Sequence, residues 1–208
     1  INYTPPNTAP TLAVTQPDGA GDTVTVGDIY NIAYDLADPE QTVTVDLYYD
    51  ANSSGLDGTA IAGCQDQAEG AGATCEWNTA GMTPGNYYVY GRGVSDGIAP
   101  EVSDYSPGVI TVNAQTFAIT ATAGANGTTT PSGVTNVAQG GSQIYAITPD
   151  SGYDVATLLI DGGSVATSTS YTFTDVQAPH TIHATFVLLP TPPVTHTITS
   201  SAGANGTI

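Results

Sequence analysis

The sequence predicts an all-β chain built from two different modules, and three observations lead there. Short runs alternate apolar and polar residues, as in Tyr30, Ile32 and Tyr34 or in Val43, Val45, Leu47 and Tyr49. A period of two is that of a half-buried strand. The composition holds 24 Gly and 14 Pro in 208 residues, with abundant Thr, Val and Tyr, which favours short strands separated by many turns. Finally, Thr122-Ala-Gly-Ala-Asn-Gly-Thr128 returns as Ser201-Ala-Gly-Ala-Asn-Gly-Thr207, an offset of 79 residues, and Ile119-Thr120 is matched by Ile198-Thr199. A fixed period marks a tandem array of supersecondary units. The second copy is only begun when the sequence stops, so a piece of a longer protein is expected.

Proline-rich joints divide the chain. Residues 1–9 form a linker, residues 10–113 the first module, residues 116–187 the second, residues 188–195 another linker, and residues 196–208 the start of a second repeat. Leu188-Leu-Pro-Thr-Pro-Pro-Val194 should be a stiff, extended spacer. In the first module the strand-like runs continue through Tyr87 to Tyr90 and Val109 to Val112. Turn clusters separate them at Pro17-Asp-Gly19, Asp38-Pro-Glu40, Pro84-Gly85 and Asp96-Gly97. Seven or so strands in about 100 residues is the arithmetic of a β-sandwich.

Charge limits the partners. There are 19 acidic residues, one Arg92 and no Lys, a net charge of −18. Nucleic acid and anionic membranes need a basic footprint that this chain lacks. Without Lys there is no Schiff base, no phosphate-binding P-loop and no Lys–Asn isopeptide staple. No apolar run is long enough to span a bilayer. Fifteen of the acids precede Asn113 and four follow it, leaving net charges of −14 and −4. The two modules differ in chemistry.

Cys64 and Cys75 are the only cysteines. Their spacing fits neither a redox CxxC pair nor a zinc knuckle. A disulfide closing a small Gly-rich loop is the reading for a secreted chain, with two buried thiols as the alternative. Trp77, the only Trp, stands beside this pair and is suited to packing over it. Acidic turns offer two oxygen-ligand sets for Ca²⁺. One is Asp50, Asn52 and Asp57, where Asp50-Ala-Asn-Ser-Ser-Gly55 echoes the start of a calcium loop but places Ile61 where the closing Glu belongs. The other is Asp35, Asp38 and Glu40. Acidic turns also arise from ordinary turn chemistry. Four Asn-x-Ser/Thr sequons begin at Asn2, Asn52, Asn126 and Asn205.

Catalytic patterns are missing. No GxSxG, HExxH or Gly-rich phosphate loop occurs. His180, His183 and His196 lie beside repeat strands, and on an extended segment His180 and His183 point to opposite faces. The adjacent pairs Tyr48-Tyr49 and Tyr87-Tyr88 must each send one ring outward, which leaves a modest aromatic signal for glycans.

Two resemblances add to this. Met82-Thr-Pro-Gly-Asn-Tyr-Tyr-Val-Tyr90 resembles the approach to strand F of fibronectin type III and bacterial immunoglobulin-like domains, where a Tyr hydroxyl ties back the corner. Asn7-Thr-Ala-Pro10 resembles their entry strand. In such a domain the disulfide here would be local, unlike the intersheet bridge of antibody domains. In the second module five motifs occur in order: Phe117 to Gly127, Ile147 to Tyr153, Leu159-Ile-Asp-Gly162, Tyr171 to Val176, and His180 to Phe186. This set resembles the divergent internalin-B-type B-repeat of bacterial surface proteins. The resemblance implies a small β-rich module, open to a β-grasp-like arrangement, acting as spacer or interaction unit without catalysis. The expected protein is extracellular or cell-surface and bacterial. It is a stalk, adhesin segment or filament subunit whose partners are copies of itself or other β-modules. The alternative is a binding module, glycans included, appended to a secreted enzyme or cytochrome.

Overall fold

The computed structural model describes residues 8–94, 101–191 and 195–206. The linker residues 1–7 with the Asn2 sequon, the Asp96-Gly97 turn, and residues 192–194 and 207–208 lie outside them. The chain divides into two compact units, residues 1–116 and 117–208. Among the described residues both are built from strands alone.

The first unit runs β1 (Thr11–Val14), β2 (Thr23–Thr25), β3 (Ile29–Ala37), β4 (Thr44–Asp50), β5 (Thr59–Ala60), β6 (Gln67–Ala68), β7 (Gly70–Asn78), β8 (Gly85–Val94), β9 (Val102–Tyr105) and β10 (Ile110–Asn113). One sheet has the order β1-β3-β7. The other has β2-β10-β8-β4-β5, with β6 also on β4 and β9 also on β8. β2 pairs parallel to β10, and the ladders within both sheets are otherwise antiparallel. This is the strand order of an immunoglobulin-like sandwich, with the chain crossing between sheets after β1.

The period-two runs supply the core. Ile32, Tyr34 and Leu36 of β3 face Val45 and Leu47 of β4 and Val89 of β8, all buried. Trp77 closes one end, its ring stacked on Tyr49 at 5.3 Å and meeting Tyr87 edge-on at 6.5 Å. The Tyr87 hydroxyl donates to the Thr83 carbonyl at 2.7 Å, the corner tie its sequence context resembles.

Two expectations need correction in this unit. The stretch between the cysteines is not simply a Gly-rich loop, because it contains β6 and most of the nine-residue β7. β7 escapes the alternation test because its first half, Gly70 to Thr74, is of small residues held by pairing with β3, and only its end alternates, with Cys75 and Trp77 buried on either side of exposed Glu76. Nor does the disulfide stay within one sheet. Cys75 lies on β7 opposite Ile32, whereas the Cys64 carbonyl accepts from the Leu47 amide of β4 at 2.9 Å. The bridge, with Cα atoms 5.8 Å apart, is short in sequence yet ties one sheet to the other at their open edge.

The second unit runs β11 (Thr116–Ala123), β12 (Gly127–Thr130), β13 (Gly133–Ala138), β14 (Gln143–Pro149), β15 (Tyr153–Ile160), β16 (Gly163–Val165), β17 (Ser170–Phe173) and β18 (His180–Leu188). A five-stranded sheet, β13-β11-β18-β15-β16, accompanies a three-stranded sheet, β12-β14-β17. Between them lies a core of Ile119, Ala121, Tyr145, Ile147, Leu158, Phe173 and Ile182. A grasp needs a helix across one sheet. Here the turn-rich connections leave no stretch long enough for one, and a second sheet covers the core instead.

The Asn-Gly signature of the repeat has two separate causes. Asn126 takes the left-handed conformation of the turn, at φ 73°. Gly127 is needed for space, because a Cβ there would enter the Phe186 ring. In the second copy Asn205 repeats the turn at φ 76°. Residues 195–206 nevertheless form no strand, and Ile198, counterpart of the fully buried Ile119, is 91% exposed.

Opening the intersheet bridge releases a short loop and one edge of the sandwich. Cys64→Ser with Cys75→Ser should cost about 2–4 kcal/mol of stability. Denaturant melts of the variant, compared with reduced wild type, should coincide with each other and fall below the oxidised protein.

Candidate functional site

The β4-β8-β9 ladder carries three tyrosines on the face turned away from the sandwich core. Tyr48 and Tyr90 are direct cross-strand partners, as are Tyr90 and Tyr105. Their rings therefore form a row, with centroids 4.9 and 4.8 Å apart. The 51–58 loop folds over this row. Gly58 packs against the Tyr90 ring so closely that a Cβ would strike both that ring and the Tyr49 carbonyl. Tyr90 is left 1% exposed. Its two faces are occupied by neighbouring rings, so the row does not offer a sugar an open central platform.

Hydroxyl chemistry fixes the loop to the row. Tyr105 donates to Asp50 Oδ2 at 3.0 Å and accepts from the Leu56 amide at 3.1 Å. Burial, with the Asp50 carboxylate adding to it, pushes the Tyr105 phenol above its ordinary pKa. Asp50 Oδ1 accepts from the Asn52 amide and side chain, and Asn52 Oδ1 accepts in turn from Ser54. Asp50 and Asn52 are thus brought together as successive side-chain turns. Asp57 lies beside Gly55 in the same loop.

The second acidic set is split. Asp35 Oδ1 accepts from the Gly72 amide of β7 at 2.6 Å, across the bulge where β3 and β7 shift register. Asp38 Oδ1 caps the turn amides of Glu40 and Gln41. Glu40 accepts from the Thr8 hydroxyl. Among the described residues, no three His, Cys, Asp or Glu side chains gather closely enough to hold a metal ion.

In the second unit the histidines do point to opposite faces, but His180 is not simply solvent-facing. Its ring lies 5.0 Å from that of Phe173, and Nδ1 is 2.8 Å from Asp161 Oδ2. Asp161 sits in the Asp161-Gly162 turn at φ 50° and also accepts from the Thr181 amide. His180, and then the Thr181 amide, hold the Asp161 carboxyl below its ordinary value. His183 is paired with the Thr122 hydroxyl at 2.8 Å. An open hollow of about 460 Å³ runs along Ala121, Ala123 and Thr128 to Thr130. Its lining offers hydroxyls but no acid, no base and no activated nucleophile.

Two outcomes follow. Tyr105→Phe removes both loop bonds and leaves Asp50 short of a donor, which should cost about 1–3 kcal/mol. Limited proteolysis should then cut within residues 51–57 faster than in wild type. Asp161→Asn retains an acceptor for Thr181 and removes the charge. Because the folded carboxyl titrates below the unfolded value, its stabilisation is complete above the unfolded pKa and is lost as pH falls through the folded one. The melting temperatures of wild type and variant should differ near neutral pH and converge in acid, below both.

Two solved structures match the chain. The fibronectin(III)-like modules of Clostridium thermocellum CbhA match with a TM-score of 0.34 and 13% identity, over 89% of this chain and 100% of that one. Titin domains z1z2, solved with telethonin, match with a TM-score of 0.30 and 12% identity, over 88% and 96%. No curated protein matches the sequence. The strand order described above carries the fold of the first unit. For the second unit, residues 117–189 match the model of the divergent InlB B-repeat domain.

Proposed function

We propose that this chain is a non-catalytic structural and interaction segment of a large secreted or surface-attached bacterial protein, a spacer or stalk assembled from strings of β-modules. The observation that carries this reading is the recurrence at 79 residues, in which even the backbone turn at Asn126 is repeated at Asn205. Three further features support it. The intersheet disulfide suits an oxidising compartment. A Pro-rich joint separates the copies and would keep them extended. Divergent InlB B-repeats occur in bacterial surface proteins, and residues 117–189 match that family. A glycan-binding appendage is the weaker reading, because the outward tyrosine row is closed by its own rings and by the 51–58 loop.

The test is location and inertness together. Antibody against the chain should label intact, unpermeabilised source cells, and surface proteolysis should remove the label. Hydrolytic or redox turnover by the purified chain that disappears on replacing one carboxylate would overturn the proposal. The acidic turns are tested separately. Asp35, Asp38 Oδ1, Glu40, Asp50 and Asn52 already accept internal donors, so melting curves in excess EGTA and in Ca²⁺ should coincide at matched ionic strength. A Ca²⁺-dependent rise would show a bound cation by mass action.

A further inference from the structure

We propose that the second unit binds an extended peptide segment of a partner protein, which adds as a fourth strand to the three-stranded sheet along the free edge of β12. This rests on the reading of the chain as an interaction segment and names one surface and the chemistry of what it takes.

The place for a strand follows from how the two sheets of this unit overlap. Gly127 of β12 packs against the Phe186 ring of β18. β14, the neighbour of β12, lies against β15, the neighbour of β18. On the other side of β18 the larger sheet continues with β11. The smaller sheet has no strand over β11 among the described residues, because β12 is its edge. That empty position is the hollow of about 460 Å³, lined by Ala121 and Ala123 of β11, Gly127 to Thr130 of β12, and Ser132. Its volume lies within the range of ligand clefts.

Ladder phase aims the main chain at this hollow. The Asp150 amide donates to the Asn126 carbonyl at 3.0 Å, and the register continues with Thr128 opposite Thr148 and Thr130 opposite Ala146. In an antiparallel pair the residues between these, Gly127 and Thr129, turn amide and carbonyl away from the partner strand. The bond from the Ile147 amide to the Thr169 carbonyl, on the far side of β14, gives the same phase. Gly127 and Thr129 thus present their amides and carbonyls on the open edge, about 7 Å apart along the strand. Thr129 adds a second, independent sign of a ligand. It is 3% exposed, and its buried hydroxyl has no partner among the described residues. An unpaired buried hydroxyl costs free energy that a guest bonding to it would recover.

Chemistry selects the guest. Donors and acceptors repeating at strand spacing are complemented by another strand. The lining holds no aromatic ring on which a sugar could stack. Alanine at 121 and 123 leaves room beneath the edge, so an apolar side chain of the guest would turn inward and fill it. The lining carries no charge while the whole chain carries −18, which disfavours an acidic guest. A proline in the guest would lack the amide that the edge carbonyls need. The edge is also undefended, since Gly127 to Thr130 has neither a charged side chain nor a proline.

The probe is a library of random heptapeptides displayed on phage and panned on the 208-residue chain. Enriched peptides should be free of proline and of acids, and their binding is then measured by fluorescence anisotropy. Thr129→Pro removes one outward amide, and an edge proline of this kind leaves the β12–β14 ladder intact. It should weaken binding about tenfold. Ala123→Trp fills the hollow from an exposed position and should act in the same direction. Thr129→Val keeps the shape and removes only the hydroxyl. It should weaken binding severalfold, while the free chain melts no lower than wild type. Thr172→Pro is the control. It makes the matching change on the outer edge of β17, opposite Ile144, and should leave binding unchanged. Failure to enrich any peptide, binding that survives the changes at Thr129 and Ala123, or equal weakening by Thr172→Pro would sink the proposal. None of these results would touch cell-surface labelling or the absence of turnover, so the functional reading is tested apart from it.

Discussion

A chain with 19 carboxylates and one Arg92 cannot neutralise its acids with ion pairs, and the way it satisfies them shapes much of the molecule. The partners are backbone amides and phenols. Asp22 accepts from the amides of Asp18 and Gly19 and from the Tyr30 hydroxyl. Asp104 accepts from Val14, Asp46 from Asp66, and Asp35 from Gly72. Each of these joins segments distant in sequence or closes a turn, so the carboxylates work as staples for main-chain donors that would otherwise be unpaired. A hydrogen bond to a charged acceptor is stronger than a neutral one. Only Arg92 and Glu101 form an exposed Arg–carboxylate pair among the described residues, and such pairs contribute little.

That constraint explains which features were legible in the sequence. Strands whose faces differ in polarity, such as β3 and β4, announce themselves by alternation, and their core residues could be named from sequence. The corner at Tyr87 and the turns at Asn126 and Asp161 were readable because each depends on local backbone conformation. β7 was not. Its first half, Gly70 to Thr74, carries no face and depends on β3 lying alongside, and the buried Cys75 and Trp77 at its end are too few to mark a strand. The same blindness hid the intersheet character of the disulfide, since eleven residues of separation say nothing about which sheet each end joins. Acidic turns were visible as clusters of oxygens. What the sequence could not reveal is that amides and a phenol already use Asp35, Asp38 Oδ1 and Asp50.

The outward tyrosines show how a binding signal can dissolve on folding. Adjacent Tyr48-Tyr49 does send one ring outward, as strand geometry demands. Cross-strand register then aligns it with Tyr90 and Tyr105, and the ring faces are consumed by one another. The Tyr105 hydroxyl is consumed by Asp50 and Leu56. An outward aromatic counts toward a ligand only when its register partners leave a face free.

The two copies of the repeat separate what is local in this fold from what is cooperative. The turn at Asn205 takes the same left-handed conformation as Asn126, since four residues suffice to set it. The strand does not follow. β11 is held between β13 and β18, and Ile119 is buried only because β18 brings Ile182 and the three-stranded sheet brings Ile147. Ile198 has the same local sequence and none of those neighbours, and it stands exposed. Strand formation here is therefore a property of the complete unit, which buries its apolar face only when both sheets are present. Each repeat must fold as a whole.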